Sequence, residues 1–119
     1  QMALGRVVGV MEAKKVAGMA ETYYAQIAPH LYAGPVEGAA NIHYAASLPN
    51  FLILESIEEW GGFHSQILKK PILWQDGYVI PPTEPGLGIE LDEQVAEAHP
   101  YTGTNLHLEM TNRPLRKEE

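Results

Sequence analysis

The stretch Leu48-Pro49-Asn50-Phe51-Leu52-Ile53-Leu54-Glu55 decides how this chain folds. Pro49 and Asn50 break whatever precedes them. Four apolar residues then run without polar alternation up to the carboxyl of Glu55. A strand of that kind is expected to be buried on both faces, as in a parallel sheet covered by helices. His30 lies 25 residues before Glu55, and it closes a second short apolar strand, Gln26-Ile27-Ala28, stopped by Pro29-His30. That spacing is about one strand–helix unit of a (β/α) barrel, in which ligand sites lie at the carboxyl ends of the strands. A further 27 residues back from His30 lies Ala3, the expected end of a preceding strand.

Between these strand ends the pattern turns helical. From Val10 to Tyr24 the apolar residues Val10, Ala13, Val16, Ala17, Ala20, Tyr23 and Tyr24 recur on one face, with Glu12, Lys14, Lys15 and Glu21 mostly turned away. Gly34-Pro35 opens a second helix, from about Val36 to Ser47, with Pro at a first-turn position where its missing N–H costs nothing. Its expected inner face is Val36, Ala39, Ala40, His43 and Ala46, small residues that imply close approach to whatever lies beneath.

The carboxyl-terminal part reads differently. Ile57 to Leu68 is a mixed loop and helix, and Pro71, Pro81, Pro82, Pro85, Gly86 and Gly88 then interrupt regular structure repeatedly. Short extended pieces are expected at Ile72-Leu73-Trp74 and Tyr78-Val79-Ile80. Asp92 caps a short helix through His99, ended by Pro100. Residues 113–119 are highly charged and expected to fray. Residues 1–70 therefore read as βα units and residues 71–119 as an irregular extension wrapped over something else.

Composition narrows the chemistry. The chain has 119 residues, 8 basic against 15 acidic side chains, a net charge of −7 and no Cys. Disulfides, thiolate chemistry and Cys-ligated zinc are excluded. Scattered Lys and Arg under a net negative charge make nucleic acid and acidic membranes poor partners. No apolar run is long enough to span a bilayer, and no secretory signal pattern is present, so the cytoplasm is the expected location. The chain begins at Gln1 rather than Met, which leaves an upstream segment open.

The chemistry-bearing residues sit at the strand ends. His30 exchanges protons near neutral pH, and Glu55 places a carboxyl opposite it, so the two read as an acid/base pair. Each also has a plainer role, His30 as a hydrogen-bonded loop residue and Glu55 as a helix cap or solvated carboxylate. Packing or a local hydrogen bond is the expected role of His43, and His64, His99 and His107 lack ligand-like spacing, so no metal site is expected in this chain. Trp60 and Trp74 are read as anchors for the tail rather than pocket walls. Pro85-Gly86-Leu87-Gly88 lacks the Lys-Ser/Thr ending of a phosphate loop and is read as a turn.

Several of these runs together resemble the enolase superfamily: Ala17-Gly18-Met19-Ala20-Glu21 with Ile27-Ala28-Pro29-His30, then Leu48 through Glu55, then Pro85-Gly86-Leu87-Gly88-Ile89-Glu90-Leu91-Asp92-Glu93. The branch is that of mandelate racemase and muconate lactonising enzyme, nearest the acid-sugar (galactonate-type) dehydratases. The resemblance implies an α/β fold, namely the last strands of a (β/α)7β barrel followed by a tail that packs on a capping domain. It also implies Mg²⁺-dependent abstraction of the proton α to a carboxylate. His30 matches the general acid/base ending the seventh strand, and Glu55 matches the eighth-strand carboxyl that hydrogen-bonds the substrate carboxylate or its enediolate. Two departures stand out. Ala3 occupies the sixth-strand position where the family carries an Asp that orients the His, and the metal-binding carboxylates have no counterpart here, so they are expected upstream of Gln1.

A complete barrel of this type needs about 250 residues. The expectation is therefore the carboxyl-terminal portion of an enzyme dehydrating a sugar acid of the galactonate or gluconate type to a 2-keto-3-deoxy acid. Racemisation or epimerisation by the same chemistry is the alternative. The implied partners are a small sugar-acid or hydroxy-acid substrate, the remainder of the barrel with its capping domain, and further copies in a homo-oligomer. The chain alone is expected to be inactive. A reading from another class, a partner-binding module with a degenerate site, is motivated by Ala3.

Overall fold

The computed structural model describes residues 1–56 and 60–102. His107 and the charged end at residues 113–119 lie outside them, as do residues 57–59 of the segment read as mixed loop and helix.

The first helix, α1 (Val10–Thr22), follows a tight loop in which the Ala3 carbonyl accepts N–H groups from Arg6 and Val7. Val8 and Gly9 both take positive φ there, 66° and 98°, and turn the chain into the helix. Glu12 in the first turn complements the positive end of the helix dipole. The helix ends two residues before the expected Tyr24, which stands at φ 58° beyond it. Its inner face is narrower than the periodicity suggests. Ala13 and Ala17 are buried, whereas Val10, Tyr23 and Tyr24 are exposed.

The second helix, α2 (Pro35–Ala46), has Pro35 at its first turn, as expected. Its buried face differs from the expected one. Val36 and Ala46 are exposed, while Pro35, Gly38, Ala39, Asn41, Ile42, Tyr44 and Ala45 are buried. The reason is that α2 has neighbours on two sides. One cluster unites Leu4, Ala13, Ala17, Ile27, Tyr44 and Leu48, and a second unites Ala39 and Ile42 with Leu68 and Ile72. The Tyr44 hydroxyl donates to the Ala13 carbonyl at 3.1 Å and locks α2 against α1.

Beneath the helices run three extended segments joined by isolated parallel bridges, Ala3 to His30 and Ile27 to Phe51. Parallel order agrees with the reading of the strands, but the ladders are only single bridges. Phe51, Leu52 and Ile53 are 38%, 57% and 62% exposed, so the expected burial on both faces does not hold here. Within the described residues that segment is bonded along one edge, toward residues 27–29, and its other side has no cover.

The tail folds back on α2. After α3 (Phe63–Gln66), Leu68 bridges Leu91 in antiparallel fashion, and a two-residue hairpin pairs β1 (Trp74–Gln75) with β2 (Tyr78–Val79) through Asp76-Gly77. The expected extended pieces are present in shortened form. Pro85 to Gly88 is the expected turn, with Gly86 and Gly88 at φ 72° and 68°. Asp92 caps α4 (Glu93–Ala98), its carboxylate accepting the N–H groups of Gln94 and Val95. Trp60 anchors this layer, its indole N–H donating to the Ala33 carbonyl at 2.8 Å and its ring lying over Gly38, where a Cβ would meet it at 2.2 Å. Trp74 packs at 6.1 Å from Trp60, so both tryptophans act as the anchors expected of them. No helix among the described residues is long and apolar enough to cross a membrane.

Candidate active site

The sequence-predicted site residues come together at the ends of the three parallel segments. His30 N–H donates to the Met2 carbonyl at 2.9 Å, and Ala3 is the residue paired with His30. On the other side His30 Nδ1 contacts Glu55 Oε2 directly. Both side chains are partly open to solvent, 38% and 36% exposed. Ala3, His30 and Glu55 thus form one row across three neighbouring chain segments.

The meeting of His30 and Glu55 depends on a local irregularity. Ile27 donates to the Asn50 carbonyl at 2.8 Å and accepts from Leu52 N–H at 2.9 Å, the regular parallel pattern. Two residues on, a regular ladder would bring Leu54 N–H to the Pro29 carbonyl. Glu55 N–H takes that place instead, at 3.2 Å. Pro29 has no N–H, so the rung that would have held Leu52 in step cannot form. One extra residue is accommodated in the second segment, as in a β-bulge, and Glu55 rather than Leu54 comes level with His30.

Three residues to which the sequence reading gave no part in the site support this row. Asn41, fully buried on α2, donates from Nδ2 to the His30 carbonyl at 2.9 Å. Asn50 donates to the carbonyls of Ala17 and Ala25 at 3.1 and 3.0 Å, and so holds the start of the Phe51 segment against α1. Glu37, in the first turn of α2, accepts Gly5 N–H at 3.1 Å and ties down the loop after Ala3. The signal for Asn41 was an amide inside the apolar run Gly38-Ala39-Ala40-Asn41-Ile42. Buried side-chain amides mostly find a hydrogen-bond partner, often on the main chain.

The other described histidines, His43, His64 and His99, stand apart from this row. His43 Nε2 meets the Leu87 carbonyl at 3.1 Å, a hydrogen bond across 44 residues to the tail rather than the local one expected. Phe63 stacks on His99 with ring centres 4.9 Å apart and also touches His64. Among the described residues no group of three or more His, Asp or Glu side chains is arranged to hold a metal ion.

A row of chemistry-bearing side chains at the ends of parallel segments, with helices packed over them, is the arrangement of a barrel-type domain. The sequence model of the Enolase C-terminal domain-like family matches residues 1–95. The chain belongs to this family. Its relatives include the D-xylonate dehydratase of Haloferax volcanii, 36% identical over 103 residues that cover 87% of this chain and 25% of that protein. The D-gluconate/D-galactonate dehydratase of Picrophilus torridus is 34% identical over 96 residues, covering 80% and 24%. The chain thus spans about a quarter of the length of the curated relatives it matches. Among solved structures, a mandelate racemase/muconate lactonizing enzyme from Sulfitobacter sp. superposes with a TM-score of 0.77 at 61% identity, covering 89% of this chain and 26% of that one. The structural relatives also include an enolase of the mandelate racemase subgroup from Agrobacterium tumefaciens, with a TM-score of 0.68 and 31% identity over 76% of this chain and 25% of that one. Enolase-superfamily membership, with relatives that are acid-sugar dehydratases and mandelate racemase-like proteins, is what the sequence resemblance implied.

Proposed function

We propose that this chain is the carboxyl-terminal part of a (β/α)7β barrel in an enolising enzyme that dehydrates a sugar acid of the galactonate or gluconate type to a 2-keto-3-deoxy acid. The observation that carries the reading is the direct contact of His30 Nδ1 with Glu55 at adjacent ends of parallel segments. An imidazole held in place by a carboxylate is an arrangement suited to general acid–base proton transfer, as this reaction requires. In the proposed reaction His30 takes the proton from the α-carbon on Nε2 and then gives it to the departing hydroxyl as the C–O bond breaks, so that the leaving group is water. The dehydratase names of the curated relatives support the choice of dehydration. The proposed cofactor of the whole protein is magnesium. The described residues of this chain do not form a site that fits it, so its ligands are proposed to lie in other parts of the protein. The rest of the barrel, a capping domain and a homo-oligomeric assembly are proposed partners on the same basis.

The test is to supply the full-length protein with Mg²⁺ and a panel of sugar acids, and to measure formation of 2-keto-3-deoxy acid. His30→Asn is expected to lower kcat by at least about a hundredfold, the ordinary worth of a general acid or base. A variant within threefold of the parent sinks the assignment. Inversion at the α-carbon with no loss of water instead marks a racemase or epimerase. The isolated 119-residue chain is expected to give no product.

A further inference from the structure

Resting on the reading of His30 as the proton-transfer group, we propose that Glu55 acts through His30, as the carboxylate that orients its ring, rather than by binding the substrate. The main chain of His30 is pinned from two sides. Its N–H donates to Met2 and its carbonyl accepts from the buried amide of Asn41, each at 2.9 Å. What stays adjustable is the rotation of the imidazole about its side-chain bonds. The contact between Nδ1 and Glu55 Oε2 fixes that rotation.

Among the described residues, the other residue paired with His30 cannot do this. Ala3 is its partner in the parallel bridge, and paired residues of neighbouring segments project to the same side. The Ala3 methyl group offers neither a donor nor an acceptor. Glu55 reaches His30 because the chain slips by one residue opposite Pro29, since in regular register Leu54 would stand there. The slip therefore supplies from one neighbouring segment the carboxylate that position 3 lacks on the other.

The chemical consequence concerns the tautomer. A carboxylate accepting from Nδ1–H holds the neutral ring with its proton on Nδ1 and directs Nε2 to the reacting group. Oε2 of Glu55 is then engaged in this bond, and the anionic end of the substrate must be held by other groups.

The experiment uses the full-length protein as parent, Glu55→Ala, Ala3→Asp, the double variant Ala3→Asp/Glu55→Ala, and His30→Asn as a control. With Mg²⁺ and the sugar acid turned over by the parent, Glu55→Ala is expected to lower kcat about tenfold to a hundredfold, the usual cost of losing such a supporting carboxylate. KM should stay within about twofold, because the substrate keeps its contacts. Ala3→Asp added to Glu55→Ala is expected to recover at least about tenfold in kcat, since it places a carboxylate on the residue paired with His30. A large rise in KM at unchanged kcat, or no recovery in the double variant, overturns the proposal. A direct reading that needs no variant is the ¹⁵N shift of the His30 ring nitrogens in the parent. Protonation at Nδ1 is expected, and protonation at Nε2 overturns the proposal. His30→Asn separates the two levels of inference. If it retains activity, the acid/base reading itself falls. If it is inactive while Glu55→Ala changes only KM, the orienting role alone falls.

Discussion

The parallel-segment region and the Pro-rich tail hold their polar groups in opposite ways. In the first, the buried and half-buried side chains bond at long range: Asn41 reaches His30 across 11 residues, Tyr44 reaches Ala13 across 31, and Asn50 reaches Ala17 across 33. In the tail several are local, beside longer reaches such as Trp60 to Ala33 and Lys69 to Glu90. Asp92 caps N–H groups two and three residues on, Ser65 bonds Gly62, and His99 meets the Val95 carbonyl four residues back. Local bonds form wherever the chain turns, and they specify little beyond the turn. Long-range bonds from buried groups exist only when the whole arrangement is in place. The row of Ala3, His30 and Glu55 therefore inherits its precision from helix packing, and the tail contributes cover.

The sharpest way to break this contrast lies where the two regions meet, at Gly38 under Trp60. Gly38→Val is expected to cost about 3 kcal/mol, the upper end of overpacking penalties. A Cβ there stands 2.2 Å from the Trp60 ring, which is itself held by Ala33 and packed on Trp74. Urea unfolding of the protein reads the cost, and a change under about 0.5 kcal/mol would show that the tail yields freely.

Tyr44→Phe tests the long-range side. Loss of the bond to Ala13 is expected to cost about 1 kcal/mol near pH 8. Burial pushes the Tyr44 hydroxyl above its ordinary value of 10.0. The unfolded chain then loses its proton first as pH rises beyond about 10, so the contribution of Tyr44 to stability is whole below that pH and declines above it. The gap between parent and variant should narrow in urea midpoints taken from pH 8 to pH 11. Parallel slopes over that range would contradict the account.

Asp92→Ala tests the local side and should have the smallest effect. A lost N-cap costs about 1 kcal/mol at most for a short, exposed helix. It should loosen α4 alone, with hydrogen exchange rising at Gln94 and Val95 and the amides of Ile27 and Leu52 unchanged. Faster exchange at Ile27 would mean that tail and parallel segments unfold as one unit.

The tail shows how far local chemistry is legible. Asp92 as a cap, the turn from Pro85 to Gly88 and the anchoring tryptophans were all readable, because each follows from residue type and immediate neighbours. The helices were legible in position but not in their faces. The expected face of α2 rested on small residues, whereas Gly38, Asn41 and Ile42 lie inside because the tail covers that side as well. Asn41 was missed for the same reason. Its role requires knowing that the His30 carbonyl lies within reach.

What the amino-acid sequence determined by itself is the order of elements, the parallel sense implied by strand–helix–strand spacing, and the choice of His30 and Glu55 as chemistry-bearing ends. These follow from periodicity, breakers and the 25-residue interval. Tertiary structure alone decided which residue stands level with His30. A shift of one residue separates Leu54 from Glu55 at that place, and no local preference distinguishes the two registers. The choice falls to hydrogen bonds between segments, where Pro29 withholds a donor and Glu55 N–H takes the carbonyl that a regular ladder would give to Leu54.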